Sequence, residues 1–207
     1  DIRTVIRKEP KNKRAALTLA RAYALKGDRV LAKDAYRQLL ILDPTNAEAP
    51  RELALVEQSE GNFTAAQDIL RKRVEVDARD FDARVRLFNL RLAQKDFAGA
   101  EDDAREMSRL DDQRGVGDLQ MGRALLAQKK YPQALEAFKR ALERSPDWAL
   151  ALEGVVGTML ETGKKDDALA FLQSYLQQYP KNTAAKLMLG NVRKIRGENT
   201  EAEKLFE

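Results

Sequence analysis

Ala32, Ala66, Ala100, Ala134, Ala168 and Ala202 stand 34 residues apart, with no insertion between any two. A spacing held over the whole chain means one supersecondary unit repeated in series, and it argues against a fold built around one round core. The unit is clearest over residues 121–146, MGRALLAQKKYPQALEAFKRALERSP. Apolar residues there fall at three- and four-residue steps on either side of a tight turn, the period of paired helices rather than strands. With 43% hydrophobic and 34% charged residues, the chain is apolar enough to bury a core and rich in strong helix formers.

Placing each alanine at position 20 gives repeats over 13–46, 47–80, 81–114, 115–148, 149–182 and a truncated 183–207, a single array over 1–207. Residues 1–12 read as the tail of a preceding second helix. Neither end shows the polar cap that closes such an array, which predicts a piece of a longer protein. Gly27, Gly61, Gly163 and Gly197 fall in the turn inside the unit, where glycine accepts the left-handed conformation that closes a helix. Lys95 and Lys129 take that place in repeats three and four, at about 1 kcal/mol each if the conformation is kept. Asp28, Asn62 and Asp96 are placed to cap the second helices. Pro44, Pro146 and Pro180 end them, because proline cannot continue the ladder.

Repeat four carries Met121-Gly122, Leu125, Ala134, Phe138 and Pro146. Repeat one carries Leu19-Ala20, Tyr23, Ala32, Tyr36 and Pro44, and repeat five Val155, Met159, Ala168, Leu172 and Pro180. In these residues the chain resembles the tetratricopeptide repeat family, whose 34-residue helix-turn-helix unit has the pattern W-x2-L-G-x2-Y, A-x3-F and P. The resemblance implies an all-α fold, a right-handed α-α superhelix of about six helix pairs. It also implies a non-enzymatic scaffold whose first helices line a concave groove for a peptide or a partner helix.

Carried over residue by residue, that groove would hold Leu17, Arg21, Arg51, Leu55, Val85, Asn89, Leu92, Leu119, Arg123, Leu126, Leu160 and Asn191. Leucines would anchor apolar side chains, and the arginines and asparagines would hold carbonyls or carboxylates. The lysine-asparagine clamp of chaperone-binding members is missing, since Val85 stands four residues before Asn89. The compact, unbroken repeats resemble bacterial members that assemble secretion, pilus or polysaccharide-export machinery. That implies a bacterial cytoplasm or periplasm/envelope, with any targeting segment outside this stretch. Two alternatives stay open: a structural scaffold that assembles with copies of itself, and a helical repeat that binds single-stranded RNA. A net charge of only +4 and a groove without stacking aromatics weigh against RNA.

The chain has no histidine and no cysteine, which removes the commonest bases, nucleophiles and zinc ligands. Residues 115–122, GVGDLQMG, have the wrong spacing for a dinucleotide turn. Asp111, Asp112 and Asp118 lack the alternation of a calcium loop and read as solvated charges. The expectation is no catalysis, no cofactor or metal, no small-molecule substrate, and proteins as partners. No apolar run approaches the ~18 residues of a membrane span. Repeats two and three depart from the pattern at Glu57, Arg73, Arg91 and Asp103, which predict a partly buried ion-pair cluster unless the long side chains reach water. Gly115 and Gly117 weaken the start of the helix after the 109–120 junction, which reads as a hinge or an ordinary turn. Trp148 reads as packing across the next junction.

Overall fold

The computed structural model describes residue 9 and residues 11–110 and 114–203. Among the described residues there are twelve α-helices and no strand. In chain order these are α1 (Lys13–Lys26), α2 (Arg29–Leu42), α3 (Glu48–Ser59), α4 (Phe63–Val76), α5 (Phe81–Ala93) and α6 (Phe97–Leu110). They continue with α7 (Val116–Ala127), α8 (Tyr131–Arg144), α9 (Ala149–Glu161), α10 (Lys165–Gln178), α11 (Thr183–Ile195) and α12 (Asn199–Glu203). Odd-numbered helices are the first helices of the repeats.

Short polar side chains set where six of the twelve described helices begin. At the last position of four repeat frames, Asn12, Asn46, Asp80 and Asn182 accept hydrogen bonds from Ala15, Ala49, Ala83 and Ala185 N–H at 2.9, 2.8, 3.0 and 2.8 Å. Each satisfies a donor that the first turn leaves without a helical partner. Asp28 and Asp96 do the same for second helices, accepting from Leu31 and Gly99 N–H at 3.2 and 3.0 Å. Asn62 departs from the expected cap: its amide turns back and donates to Glu57 at 2.9 Å, leaving α4 without a side-chain cap.

Turns follow the sequence reading. Gly27, Gly61, Gly163 and Gly197 have φ of 79°, 81°, 75° and 84°, and Lys95 and Lys129 hold the same left-handed conformation at 61° and 60°. The helices α2, α8 and α10 stop at Leu42, Arg144 and Gln178, each two residues before its proline.

The chain divides into two compact units between Lys95 and Asp96, inside repeat three. In the first, α1 to α5 pack each against the next, and α3 also touches α5. Its core runs through Ala20, Tyr36, Leu39 and Leu53 into Leu70 and Leu87. In the second, α6 to α12 pack in the same succession, with α7 touching α9 and α9 touching α11. Phe138, Leu152, Val155, Leu172 and Leu189 fill its core. Five of the six register alanines are 0% exposed and Ala202 is 2% exposed, so none has room for a larger side chain without displacement.

Two glycines clasp Phe138, the largest fully buried side chain of the second unit. A Cβ at Gly122 on α7 would lie 2.6 Å from Phe138 Cδ1, and one at Gly154 on α9 would lie 2.5 Å from it. Gly117 serves a related purpose, since its Cβ would meet Ser108 Oγ at 2.1 Å and Ser108 N at 2.3 Å. The loss of helix propensity at the start of α7 therefore accompanies a close crossing of α6 and α7. Trp148 packs, half-buried, against the second unit's core.

The charged departures in repeats two and three resolve differently from a single cluster. Glu57 and Arg73 are both buried, but each is matched separately. Glu57 accepts from Arg37 at 3.0 Å, Lys33 at 3.4 Å and Asn62 at 2.9 Å. Arg73 donates to Asp80 at 2.5 Å and Asp77 at 2.8 Å. Asp118 is buried rather than solvated, and it pairs with Arg140 at 2.9 Å and Arg144 at 3.3 Å. Asp111 and Asp112 lie outside the described residues.

Candidate functional site

The first helices of the first unit carry the expected groove residues Leu17 and Arg21 on α1, Arg51 and Leu55 on α3, and Val85, Asn89 and Leu92 on α5. Their arginines are not free donors. Arg21 pairs with Glu48, and Arg51 pairs with Asp82 at 2.6 Å and Asp80 at 3.6 Å. Each link runs from one first helix to the next, which fixes their spacing with charge. Leu17 is half-buried against the core, Val85 and Leu92 are half-buried, and Asn89 is exposed.

Between α1 and α3 lies a groove of about 490 Å³. Its walls are Arg21, Ala24 and Leu25 from α1 and Glu48, Glu52, Leu55, Val56 and Ser59 from α3, with Tyr36 of α2 contributing to the lining. Leu25 is 90% exposed and Leu55 47% exposed. Single exposed leucines are ordinary, but here two line one groove and leave its apolar wall open to solvent. The charges are uneven: Glu48 is taken by Arg21, whereas Glu52 makes no ion pair or hydrogen bond among the described residues.

Tyr36 carries the second peculiarity. Its side chain is completely buried, yet its hydroxyl has no hydrogen-bond partner among the described residues. Burial pushes its phenol up to about 12, with the Glu52 carboxylate adding to the rise and Arg21 opposing it. A buried hydroxyl without a partner is costly to the fold. Position 24 of the repeat requires a large core side chain, and sequence reasoning treats Tyr36 only in that role. Glu52 was not among the residues singled out from sequence; the carboxylate surplus becomes visible only when Arg21 is seen to be occupied.

The second unit offers less. Leu119 is buried at 3% exposure and faces the core instead of a partner. Leu126 and Leu160 pack half-buried against the same core, and Asn191 on α11 is exposed. Arg123 is half-buried and donates to Gln120 at 2.7 Å, and burial lowers its pKa. Among the described residues no group of three or more acidic, histidine or cysteine side chains is placed to hold a metal ion. No described helix is long and apolar enough to cross a membrane.

A family model described as tetratricopeptide repeat matches residues 1–47 and 119–183, more than half of the chain. The chain belongs to the tetratricopeptide repeat family. Among solved structures it is similar to a tetratricopeptide repeat protein from Parabacteroides merdae, with TM-score 0.67 and 16% identity over 99% of this chain and 81% of that one. Similarity to pilF of Pseudomonas aeruginosa has TM-score 0.65 and 22% identity over 93% and 88% of the two chains. YrrB, described as a tetratricopeptide repeat protein with an unusual peptide-binding site, matches with TM-score 0.59 and 18% identity over 89% and 95%. At these identities the likeness concerns the fold. No curated protein sequence matches the chain. Tetratricopeptide repeats are protein–protein interaction scaffolds.

Proposed function

We propose that this tetratricopeptide protein is a non-enzymatic scaffold that holds a polypeptide segment in the groove between α1 and α3. The observation that carries the reading is the placement of Leu25 and Leu55, both exposed, beside Glu52, which makes no ion pair or hydrogen bond among the described residues. Apolar anchors beside a few fixed polar groups suit a peptide better than a small polar metabolite. The peptide-binding site of YrrB, a protein of similar fold, supports the same class of ligand. The setting we attach to it, assembly of a bacterial envelope, secretion or polysaccharide-export complex, rests on the resemblance of the repeats to compact bacterial members.

Binding of the protein to an array of tiled 12-residue peptides tests the reading. Leu25→Asp combined with Leu55→Asp leaves the core untouched, and it should abolish binding to the peptides that the unaltered protein captures. Equal capture by both proteins would place recognition elsewhere. Light scattering over a concentration series addresses self-assembly: a mass that rises with concentration, and stops rising in the double variant, would make a second copy the occupant.

A further inference from the structure

The α1–α3 groove has a defined charge deficit, and this deepens the reading above, on which it rests. Three ionised side chains line it: Arg21, Glu48 and Glu52. The first two neutralise each other. Among the described residues Glu52 remains as one uncompensated carboxylate, half-buried, flanked by Leu55 and lying close enough to Tyr36 to raise the phenol's pKa.

We infer that this groove selects a polypeptide segment carrying a basic side chain flanked by leucine-class residues. The cation would pair with Glu52, and the flanking side chains would cover Leu25 and Leu55. An arginine fork can offer a carboxylate two parallel N–H donors. An acidic residue would meet Glu52 at close range and be rejected. The remaining pairs, Arg21–Glu48 and Arg51–Asp82, stay closed, so a basic ligand need not break an existing link.

The experiment uses three synthetic peptides, acetyl-Leu-Leu-X-Leu-Leu-amide with arginine, citrulline or glutamate at X. Citrulline keeps the shape of arginine and removes its charge. Each is titrated into the isotope-labelled full chain, following backbone amide signals of α1 and α3. The expected result is that the arginine peptide moves signals around Leu25, Glu52 and Leu55 and binds at least tenfold more tightly than citrulline, with glutamate weakest. Glu52→Gln should erase the difference between arginine and citrulline. Equal affinity for all three peptides, or an arginine preference that survives Glu52→Gln, overturns the charge selection and leaves the groove reading standing. Failure of every peptide to move α1 and α3 signals overturns both.

Discussion

Replacing Gly154 by alanine sets two physical effects against each other. Helix propensity alone says that the change stabilises, because alanine is favoured over glycine in a helix interior by about 1 kcal/mol. Packing says the opposite. The new Cβ would lie 2.5 Å from Phe138 Cδ1 and 2.6 Å from Cε1 and Cγ, whereas carbon atoms rest about 3.5–4.0 Å apart. The ring would have to retreat by roughly 1 Å. Gly122 stands on its other flank with only 2.6 Å to spare for a Cβ of its own, so the retreat is toward another backbone. Overpacking of this kind costs about 1–3 kcal/mol, and a ring held on both sides belongs in the upper half of that range. Subtracting the propensity gain leaves a net loss of about 1–2 kcal/mol. Urea unfolding followed by circular dichroism measures it, with the m-value checked for a change in cooperativity. Adding Phe138→Leu removes the clash, so the double variant should lose less than the sum of the two single losses by about 1–2 kcal/mol. A Gly154→Ala protein as stable as the unaltered chain, or additive losses in the cycle, would refute the clasp.

Lys129→Gly and Lys95→Gly should each raise stability by about 0.5–1 kcal/mol, since both lysines hold positive φ and glycine removes that strain at some cost in chain entropy; urea midpoints check it. Tyr36 and Tyr175 should ionise only near pH 12, both raised chiefly by burial. A raised phenol favours the folded state fully below pH 10 and loses that contribution as pH climbs through 12. Absorbance at 295 nm should therefore show two of the five tyrosines titrating late, and the stability lost from pH 10 to 12 should shrink in Tyr36→Phe. Asp118→Ala should cost about 1.5–3 kcal/mol by removing charged hydrogen-bond partners of Arg140 and Arg144, with the thermal midpoint as readout.

Legibility followed the distance over which each constraint acts. The alanine register, the glycine turns and the left-handed lysines were readable because repetition and local backbone sterics state them directly. Asp118 was misread as solvated, since the arginines that bury it stand 22 and 26 residues further on in a neighbouring helix. Arg21 and Arg51 looked like free ligand donors for the same reason: their carboxylates, Glu48 and Asp82, belong to the next first helix. Glycines at 122 and 154 carry no turn signal, and only the ring of Phe138 explains them. Of the expected cluster of Glu57, Arg73, Arg91 and Asp103, Glu57 and Arg73 are buried but answered by separate partners, because periodicity says which face a residue occupies and not which neighbour answers it.

The links Arg21–Glu48 and Arg51–Asp82 join successive first helices through side chains that water still reaches. Such contacts are worth little each and fade as salt screens them. In the first unit, then, the mouth of the groove between α1 and α3 carries the ionic link Arg21–Glu48 above the apolar core that Ala20, Tyr36 and Leu53 share. Raising ionic strength should loosen that opening before it threatens the fold, making the mouth of the groove responsive to its surroundings while the alanine-lined interior stays indifferent to them.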